Sequence, residues 1–328
     1  MKKTLYFCGM ESNEYHIPVL LRPSVDGLNI CQSGVYVDVT LGGGGHSREI
    51  LRCLSNEGRL FSFDQDADAI SRLMQEAENT GKMSADGHGG PRWTLVQSNF
   101  RYLKNWMRYY DVEGIDGLIA DLGVSSHHFD ESCRGFSFRS DAPLDMRMNQ
   151  QARQTAADIV NTYSLAQLTA IFRLYGELRQ AARLADGIVK ARSRQEIRTT
   201  GELAALLTPL LGRDHEKKDL ARAFQALRIE VNHEMDALRD MLSAAVELLR
   251  PGGRLVVIAY HSLEDRIVKN LMRAGNIEGE MVQDIYGRVQ SPLMPEGKVI
   301  VPDEEELAAN PRSRSAKLRI AERVDGAI

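Results

Sequence analysis

Apolar, β-branched segments alternate with helix-like segments through the first third of the chain, and this alternation constrains the fold most strongly. Four strands are predicted, at residues 35–40, 59–63, 93–96 and 116–120. Each ends at a polar residue or a glycine cluster, and helix-like stretches lie between them. Strands separated by helices form βαβ units, which pair as a parallel sheet. Ligands of such sheets bind beyond the carboxyl ends of the strands.

The pattern changes between residues 134 and 232, where several helices and no convincing strand are predicted. Ser164 with Gln167, and Thr199 with Glu202, have the spacing of capping boxes, in which the first and fourth residues satisfy each other's backbone N–H groups. We therefore expect a helix to begin at each of these two sites.

The strand pattern resumes after the helical stretch. An amphipathic helix is predicted at residues 235–249, stopped by the Arg-Pro-Gly-Gly turn that follows it, and residues 254–260 form a strong buried strand. The sequence therefore predicts an α/β domain built from two segments, 1–133 and 233–328. An all-helical domain, 134–232, is inserted between them and is large enough to form its own core.

Composition supports an ordinary globular protein. Of the 328 residues, 43% are hydrophobic and 26% are charged, which suits a chain that buries a sizeable core. The four cysteines lie far apart without a CxxC pair, which argues against a disulfide framework or a zinc cluster. No stretch approaches the length of a membrane span or a secretory leader, so a cytoplasmic protein with no membrane partner is expected.

The formal net charge of −4 hides an asymmetry between the two predicted parts. Residues 147–228 contain 14 Lys and Arg against 8 Asp and Glu, whereas the remainder contains 27 against 37. A basic insert on an acidic domain suggests a polyanionic partner held by the insert. A solvated helical surface explains so modest an excess equally well.

The glycine cluster at residues 42–45 follows the first strand and precedes a helix, where a nucleotide-like ligand meets free backbone N–H groups. Ser47 stands where a dinucleotide fingerprint needs its third glycine, which argues against NAD. Asp64 ends the second strand, where an acidic residue binds a ribose diol. The alternatives are a tight structural turn for the glycines and a helix-capping carboxylate for Asp64.

Asp121 ends the fourth predicted strand, at the same carboxyl edge of the sheet as Asp64. His127 and His128 follow in the next loop. We expect them to line one cleft, although Asp121 alone could also cap a turn. No H-x-x-x-H or H-E-x-x-H pattern is present, so no metal site is predicted.

The HSLEDR segment at 261–266 follows the last predicted strand. Ser262 with Asp265 fits a helix cap, which leaves His261 and Arg266 unexplained.

Several motifs together closely resemble those of the RsmH (MraW) family, the bacterial ribosomal RNA cytosine-N4 methyltransferases. The matching segments are HIPVLL at 16–21, GGGGHS at 42–47, DLGVSS at 121–126, RGFSF at 134–138, PLDMRM at 143–148, TAAD at 155–158, FQALRI at 224–229, HSLEDR at 261–266 and NPRSRS at 310–315. The resemblance spans nearly the whole chain. It implies a class I, Rossmann-like methyltransferase domain with an inserted helical domain, and S-adenosylmethionine as cofactor. It also implies a substrate, a cytosine in the decoding region of small-subunit (16S) ribosomal RNA.

The resemblance also implies a set of cofactor contacts. Carried over by position, they fall on Gly44, Gly45, His46, Asp64, Phe100, Asp121 and His128. Many members have Ser-Ser-Pro-Gln after the aspartate loop, where this chain has Ser-Ser-His-His at 125–128, so His128 takes the place of the glutamine.

These assignments predict roles for the remaining residues. Asp121 orients the cofactor and the amine and is a candidate proton acceptor, and His261 helps to bind the flipped-out base. Arginines of the insert, with Arg312 and Arg314, contact phosphate. The expected partner is ribosomal RNA within an assembled small subunit, with a dimer as one option for the enzyme. Two rival interpretations are a methyltransferase of proteins or small molecules and a non-catalytic RNA-binding assembly factor.

Overall fold

One seven-stranded sheet forms the centre of the protein. The computed structural model describes residues 18–80, 92–123, 134–212, 215–287 and 289–325. The strands are β1 (Val35–Asp38), β2 (Arg59–Asp64), β3 (Arg92–Gln97), β4 (Ile115–Asp121), β5 (Leu249–Ala259), β6 (Leu293–Pro295) and β7 (Lys317–Arg323). Their order is β3-β2-β1-β4-β5-β7-β6. The first five pair in parallel, whereas β7 is antiparallel to both β5 and β6. The predicted α/β, Rossmann-like fold class is confirmed.

The strand order reverses between β1 and β4, because the chain runs outward from β1 through β2 to β3 and then returns to pair β4 on the other side of β1. This reversal is the switch point at which ligands of open α/β sheets bind. The helices of this part are α1 (Leu21–Gly27), α2 (Gly45–Cys53), α3 (Ala67–Thr80), α4 (Leu103–Tyr109), α10 (Glu234–Leu248), α11 (Ser262–Ala274) and α12 (Glu304–Ala309). Short 3₁₀ turns lie at Phe100–Tyr102, Thr208–Leu210 and Pro311–Ser315.

Helices occupy the chain between β4 and β5, as the sequence predicts. They are α5 (Ala156–Thr162), α6 (Leu165–Leu174), α7 (Ala181–Arg192), α8 (Thr200–Leu207) and α9 (Glu216–Asn232). The predicted capping boxes at Ser164 and Thr199 are confirmed, because each hydroxyl accepts from the backbone N–H three residues later and the side chain there accepts in return. A third box begins α5 at Thr155.

The inserted helices and the sheet have separate hydrophobic clusters. One joins the sheet to α4, α10 and α11, with Leu118 and Val257 fully buried. The other lies among the inserted helices and includes the fully buried Phe172, Leu203 and Leu227. A helical segment with its own apolar core supports the predicted insertion. The boundaries at 134 and 232 stay a prediction.

A buried ion pair ties the start of the helical segment to the sheet. Arg134 Nη1 lies 2.6 Å from Asp66 Oδ2, and both side chains are less than a tenth exposed. Arg134 also donates to the carbonyl oxygens of Arg147 and Met148. Removing one member of such a pair leaves the other charge buried, so this contact holds the two parts together strongly.

Two boundaries differ from the sequence predictions. Helix α2 begins at Gly45 rather than Ser47, because Gly44 takes a left-handed conformation (φ 76°) that lets the helix start two residues earlier. Strand β5 begins at Leu249, not at residue 254, since Leu249 pairs with Ile115 and Arg254 with Gly117. The predicted stop is therefore an irregularity inside β5. Across the described residues, no helix has the length and apolar character that crossing a membrane requires.

Candidate active site

The glycine turn joins the carboxyl end of β1 to α2. Gly42 and Gly44 have positive φ angles, 48° and 76°, which glycine adopts without steric cost. A Cβ added to Gly43 would meet nothing within 4 Å, whereas one added to Gly45 would lie 2.0 Å from Pro18 Cγ. The turn is therefore open to a ligand at Gly43 and closed by packing at Gly45.

Asp64, at the end of β2, ties this turn to the next helix. Its carboxylate accepts hydrogen bonds from Gly42 N and Asp66 N, each at 2.9 Å. Helix α3 begins at Ala67, and the carboxylate that accepts from its first turn is Asp66, whose Oδ1 accepts from Asp68 N at 3.1 Å, so Asp64 stabilises the loop before the helix and is not its cap. The contact of Asp64 with the ribose of the cofactor stays a prediction.

A chain of hydrogen bonds runs beneath the turn. Trp93 Nε1 donates to Ser62 Oγ at 2.8 Å, Ser62 Oγ lies 2.7 Å from Ser47 Oγ, and Ser47 Oγ donates to Asp38 Oδ2 at 2.6 Å. Burial raises the pKa of Asp38, while bonds from Ser47 and Thr40 lower it. A dinucleotide fingerprint would have a glycine at position 47. The serine that stands there donates a hydrogen bond to the buried carboxyl group of Asp38.

Asp121 lies at the carboxyl end of β4, with its side chain 23% exposed. Tyr260 Oη donates to its Oδ1 at 2.7 Å, and His46 Nδ1 lies 3.9 Å from its Oδ2. The backbone N–H of Asp121 donates to Thr40 Oγ1 at 2.6 Å. Burial is the largest influence and raises the pKa of Asp121 to about 6, although the Tyr260 hydroxyl and, when it is protonated, His46 oppose it. The carboxylate is therefore ionised at neutral pH and unusually basic.

His46 is buried, and its tautomer follows from its neighbours. Nε2 lies 3.2 Å from the Val19 carbonyl oxygen, which only accepts, so Nε2 carries the proton. The neutral ring then presents a lone pair at Nδ1 toward Asp121. Burial lowers the pKa of His46, with Asp121 opposing the effect, so the ring is neutral over most of the physiological range. Asp121 Oδ2 therefore faces a ring nitrogen that carries a lone pair.

A narrow cleft of about 30 Å³ opens at this edge of the sheet, between the strand ends, the start of α10 and the helical segment. The residues that line it from the sheet side are Thr40, Gln65, Asn99, Phe100, Leu122 and Gly123. The helical segment contributes Met148 and Asn232, and Glu264 of α11 also reaches the wall. Of the predicted cofactor contacts, Phe100 lies directly in the wall. The cleft begins where the sheet topology predicts a ligand.

The cap of α11 differs from the prediction of Ser262 with Asp265. The observed N-cap is His261, whose Nδ1 accepts from Glu264 N at 3.4 Å, while Glu264 Oε2 accepts from His261 N at 3.3 Å. Ser262 is the first helical residue, and its hydroxyl donates to Glu177. Asp265 pairs with Lys317 and Arg319 of β7 instead. The prediction was wrong because an imidazole nitrogen one residue earlier replaces the serine oxygen.

Glu234, His261 and Glu264 bring three possible metal-ligand atoms within 4.8 Å of one another. The Arg228 guanidinium donates to both oxygens of Glu234 at 2.8 Å, and Tyr260 N donates to Glu264 Oε2 at 2.9 Å. The arginine compensates the charge of Glu234, and backbone amides bind the carboxylate of Glu264. The three residues therefore have a structural role. That no metal is used stays a prediction.

Comparison with known proteins decides the family. The model of the MraW methylase family matches residues 13–324. This chain belongs to that family. It is 59% identical over 317 residues to the ribosomal RNA small subunit methyltransferase H of Bacteroides thetaiotaomicron, across 96% of this chain and all of that protein. Its identity to the protein of the same name from Cytophaga hutchinsonii is 50% over 309 residues, covering 94% and 99% of the two chains.

A solved rRNA methylase from Streptococcus thermophilus aligns with a TM-score of 0.40 at 12% identity, covering 94% of this chain and 99% of that one. Membership of the family confirms the predicted methyltransferase activity and the predicted S-adenosylmethionine cofactor.

The structure brings most predicted site residues to one edge. Asp64 and Asp121 end β2 and β4, Gly44 lies in the turn that follows β1, and His46 lies at the start of α2. The predicted contact at His128 falls outside the described residues, as does His127. Sequence reasoning missed Tyr260, although its position at the end of a predicted strand pointed to the same edge.

Proposed function

We propose that this protein transfers the methyl group of S-adenosylmethionine to the exocyclic N4 of a cytosine in the decoding region of small-subunit ribosomal RNA. The observation that carries the proposal is Asp121, which faces His46 beside a cleft at the sheet switch point. The relatives named ribosomal RNA small subunit methyltransferase H support the choice of substrate.

The residues at the sheet edge fit the cofactor. The exposed, open face of Gly43 admits a close approach, and the cleft wall supplies the Phe100 ring. We propose that Gly44, Gly45, His46 and His128 hold the methionine part with Asp121. Asp64 then holds the ribose, and Phe100 lies against the adenine. When bound, S-adenosylmethionine supplies a methyl group activated by the positive charge of its sulfur.

Residues of the chain itself have to activate the cytosine amine that receives the methyl group. The lone pair of a cytosine N4 amine is delocalised into the ring, so the amine is a weak nucleophile and must lose a proton. We propose that Asp121 accepts a hydrogen bond from N4, which aligns it, and takes the proton that N4 loses on gaining the methyl group. With its pKa raised to about 6, the carboxylate is ionised at neutral pH yet more basic than an ordinary aspartate.

The inserted helices provide the surface for RNA. Arg173, Arg179 and Arg183 are exposed on or beside α6 and α7, and Arg312 and Arg314 are exposed near the start of β7. Guanidinium groups at such positions suit phosphate contacts, which position a nucleic acid without reading its sequence. We propose that the substrate is the RNA within an assembled small subunit, in the cytoplasm.

His261 is proposed to contact the base extruded into the cleft. Capping of α11 holds its ring beside Glu264, which lines the cleft wall. A base must leave its stack to reach a methyl donor within a cleft, and the enclosed ring of His261 offers it a flat partner.

The proposed function is tested with small subunits from cells that lack this protein and with methyl-labelled cofactor. We expect label in RNA, on one cytosine of the decoding region located by mass mapping. Label in ribosomal protein would support the first rival interpretation. RNA binding without any label would support a non-catalytic assembly factor.

The matched variant is Asp121→Asn, which keeps the shape of the side chain and removes its basicity. We expect turnover at saturating cofactor to fall by at least about a hundredfold. Wild-type turnover by this variant would contradict the assignment of Asp121.

A further inference from the structure

We propose that Tyr260 is a positioning residue that holds the Asp121 carboxylate in the orientation that receives the amine proton. This inference rests on the role of Asp121 in the proposed function. The sequence motifs do not include Tyr260, which precedes the HSLEDR segment by one residue.

The sheet register brings the two residues together. Asp121 pairs with Ile258 across the parallel strands β4 and β5, and Tyr260 follows two residues after Ile258. Both side chains therefore leave the sheet at its carboxyl edge. The resulting hydrogen bond from Tyr260 Oη to Asp121 Oδ1 is 2.7 Å long, within the range for a charge-assisted O–H donor.

Contacts on both sides hold the tyrosine itself. Its backbone N–H donates to Glu264 Oε2 at 2.9 Å, which anchors the residue to the capped end of α11. Its ring lies against Gly123, where an added Cβ would sit 3.5 Å from Tyr260 Cδ2. Gly123 has a φ of 103°, a conformation that side chains rarely adopt, so the chain after β4 passes closely beside the ring.

The hydrogen bond also decides which oxygen of Asp121 is used. Because Tyr260 occupies Oδ1, the plane of the carboxylate is set and Oδ2 turns toward His46 at 3.9 Å. Oδ2 then takes the proton, beside a ring nitrogen that carries a lone pair. Without the tyrosine hydroxyl, the carboxylate would rotate freely about its last bond.

The charged groups around Asp121 show what the hydroxyl does to its protonation. Burial, Asp38 from β1 and Glu264 from α11 raise the pKa of Asp121, whereas the Tyr260 hydroxyl lowers it, as does His46 from α2 in its protonated form. Burial and the neighbouring Asp121 raise the pKa of Tyr260, so the hydroxyl remains a donor throughout the accessible pH range. Removing it therefore raises the pKa of Asp121.

The test is Tyr260→Phe, which removes one oxygen and keeps the ring. The first measurement is a ¹³C NMR titration of labelled aspartate carboxyl groups in the full-length protein, with the Asp121 signal identified by its loss in Asp121→Asn. We expect the Asp121 titration to move upward by about one pH unit, because a hydrogen bond to a charged group is worth about that much.

The second measurement is kcat against pH with small subunits as substrate. We expect the acidic limb of the profile to move upward in parallel, with about a tenfold loss of kcat below pH 6 and little loss above about pH 8. Tyr163→Phe is the matched control, since Tyr163 Oη donates to the Glu230 carboxylate at 3.0 Å within the helical segment. That variant should leave both the Asp121 titration and the rate profile unchanged.

Two outcomes would overturn the inference. One is an Asp121 titration that does not move in Tyr260→Phe, and the other is an equal loss of kcat at every pH, which a structural role alone would produce. Failure of the proposed function is distinguished by Asp121→Asn. Wild-type turnover by Asp121→Asn would refute Asp121 as the proton acceptor and, with it, the proposed mechanism. If Asp121→Asn is inactive but the Asp121 titration does not move in Tyr260→Phe, only the role of Tyr260 is refuted.

Discussion

Replacing Asp121 by asparagine should make the folded protein more stable at neutral pH. The ordinary pKa of an aspartate is 3.8, and burial raises that of Asp121 to about 6. A raised pKa means that the folded state prefers the protonated form. This preference contributes stability below about pH 4 and is lost as the pH rises through about 6. Above that value, the protein carries the cost of an ionised carboxylate in a desolvated site.

The size of that cost follows from the two pKa values. The difference between 3.8 and about 6, at about 1.4 kcal/mol per pKa unit, gives about 3 kcal/mol. Asparagine keeps the partners of the site, because its Oδ1 still accepts from Tyr260 and its amide faces the lone pair of His46 Nδ1. We therefore expect Asp121→Asn to gain about 1 to 3 kcal/mol in the free energy of unfolding at pH 8.

Urea-induced unfolding at several pH values measures this difference. The advantage of the variant should grow between about pH 4 and pH 7 and then level off, because ionisation of the wild-type carboxyl group is complete there. Asp236→Asn, which alters a carboxylate that is 61% exposed on α10, controls for the loss of one negative charge. A variant less stable than wild type at pH 8, or an advantage independent of pH, would refute the reasoning.

Three further substitutions test other parts of the structure. Asp64→Ala should weaken cofactor binding about tenfold to a hundredfold in calorimetry, since a charged acceptor for the ribose is lost, and an unchanged Kd would contradict the ribose contact. Arg134→Ala should cost about 3 to 5 kcal/mol in urea unfolding because its buried carboxylate partner is left unpaired, whereas Arg52→Ala, from an exposed pair, should cost less than about 1 kcal/mol. Similar losses in the two variants would count against the buried pair. Ser47→Ala should cost about 1 to 3 kcal/mol by thermal or urea unfolding, because buried Asp38 loses a 2.6 Å donor, and unchanged stability would show that Ser47 is dispensable.

Much of the fold could be predicted because its signals are local. A strand is marked by apolar residues within a few positions, and a capping box by residues three apart, as at Ser164 and Thr199. The same local signals placed Asp64 and Asp121 at strand ends, and parallel pairing brings such ends to one edge. The identities of the cofactor and the substrate came from the family motifs, because the spacing of apolar residues does not indicate them.

The remaining features depend on which distant segments meet. Tyr260 bonds to Asp121 across 139 positions of sequence, and only the register of β4 against β5 makes them neighbours. The cap of α11 is His261 and not Ser262, because the backbone is still extended at His261 after the end of β5. By itself, the sequence determined the strands, the helices and the residues at the strand ends, since those patterns lie within a few residues. Tertiary structure decided the surroundings of Asp121, because the pKa of a carboxyl group follows from burial and from neighbours that only the packed chain brings together.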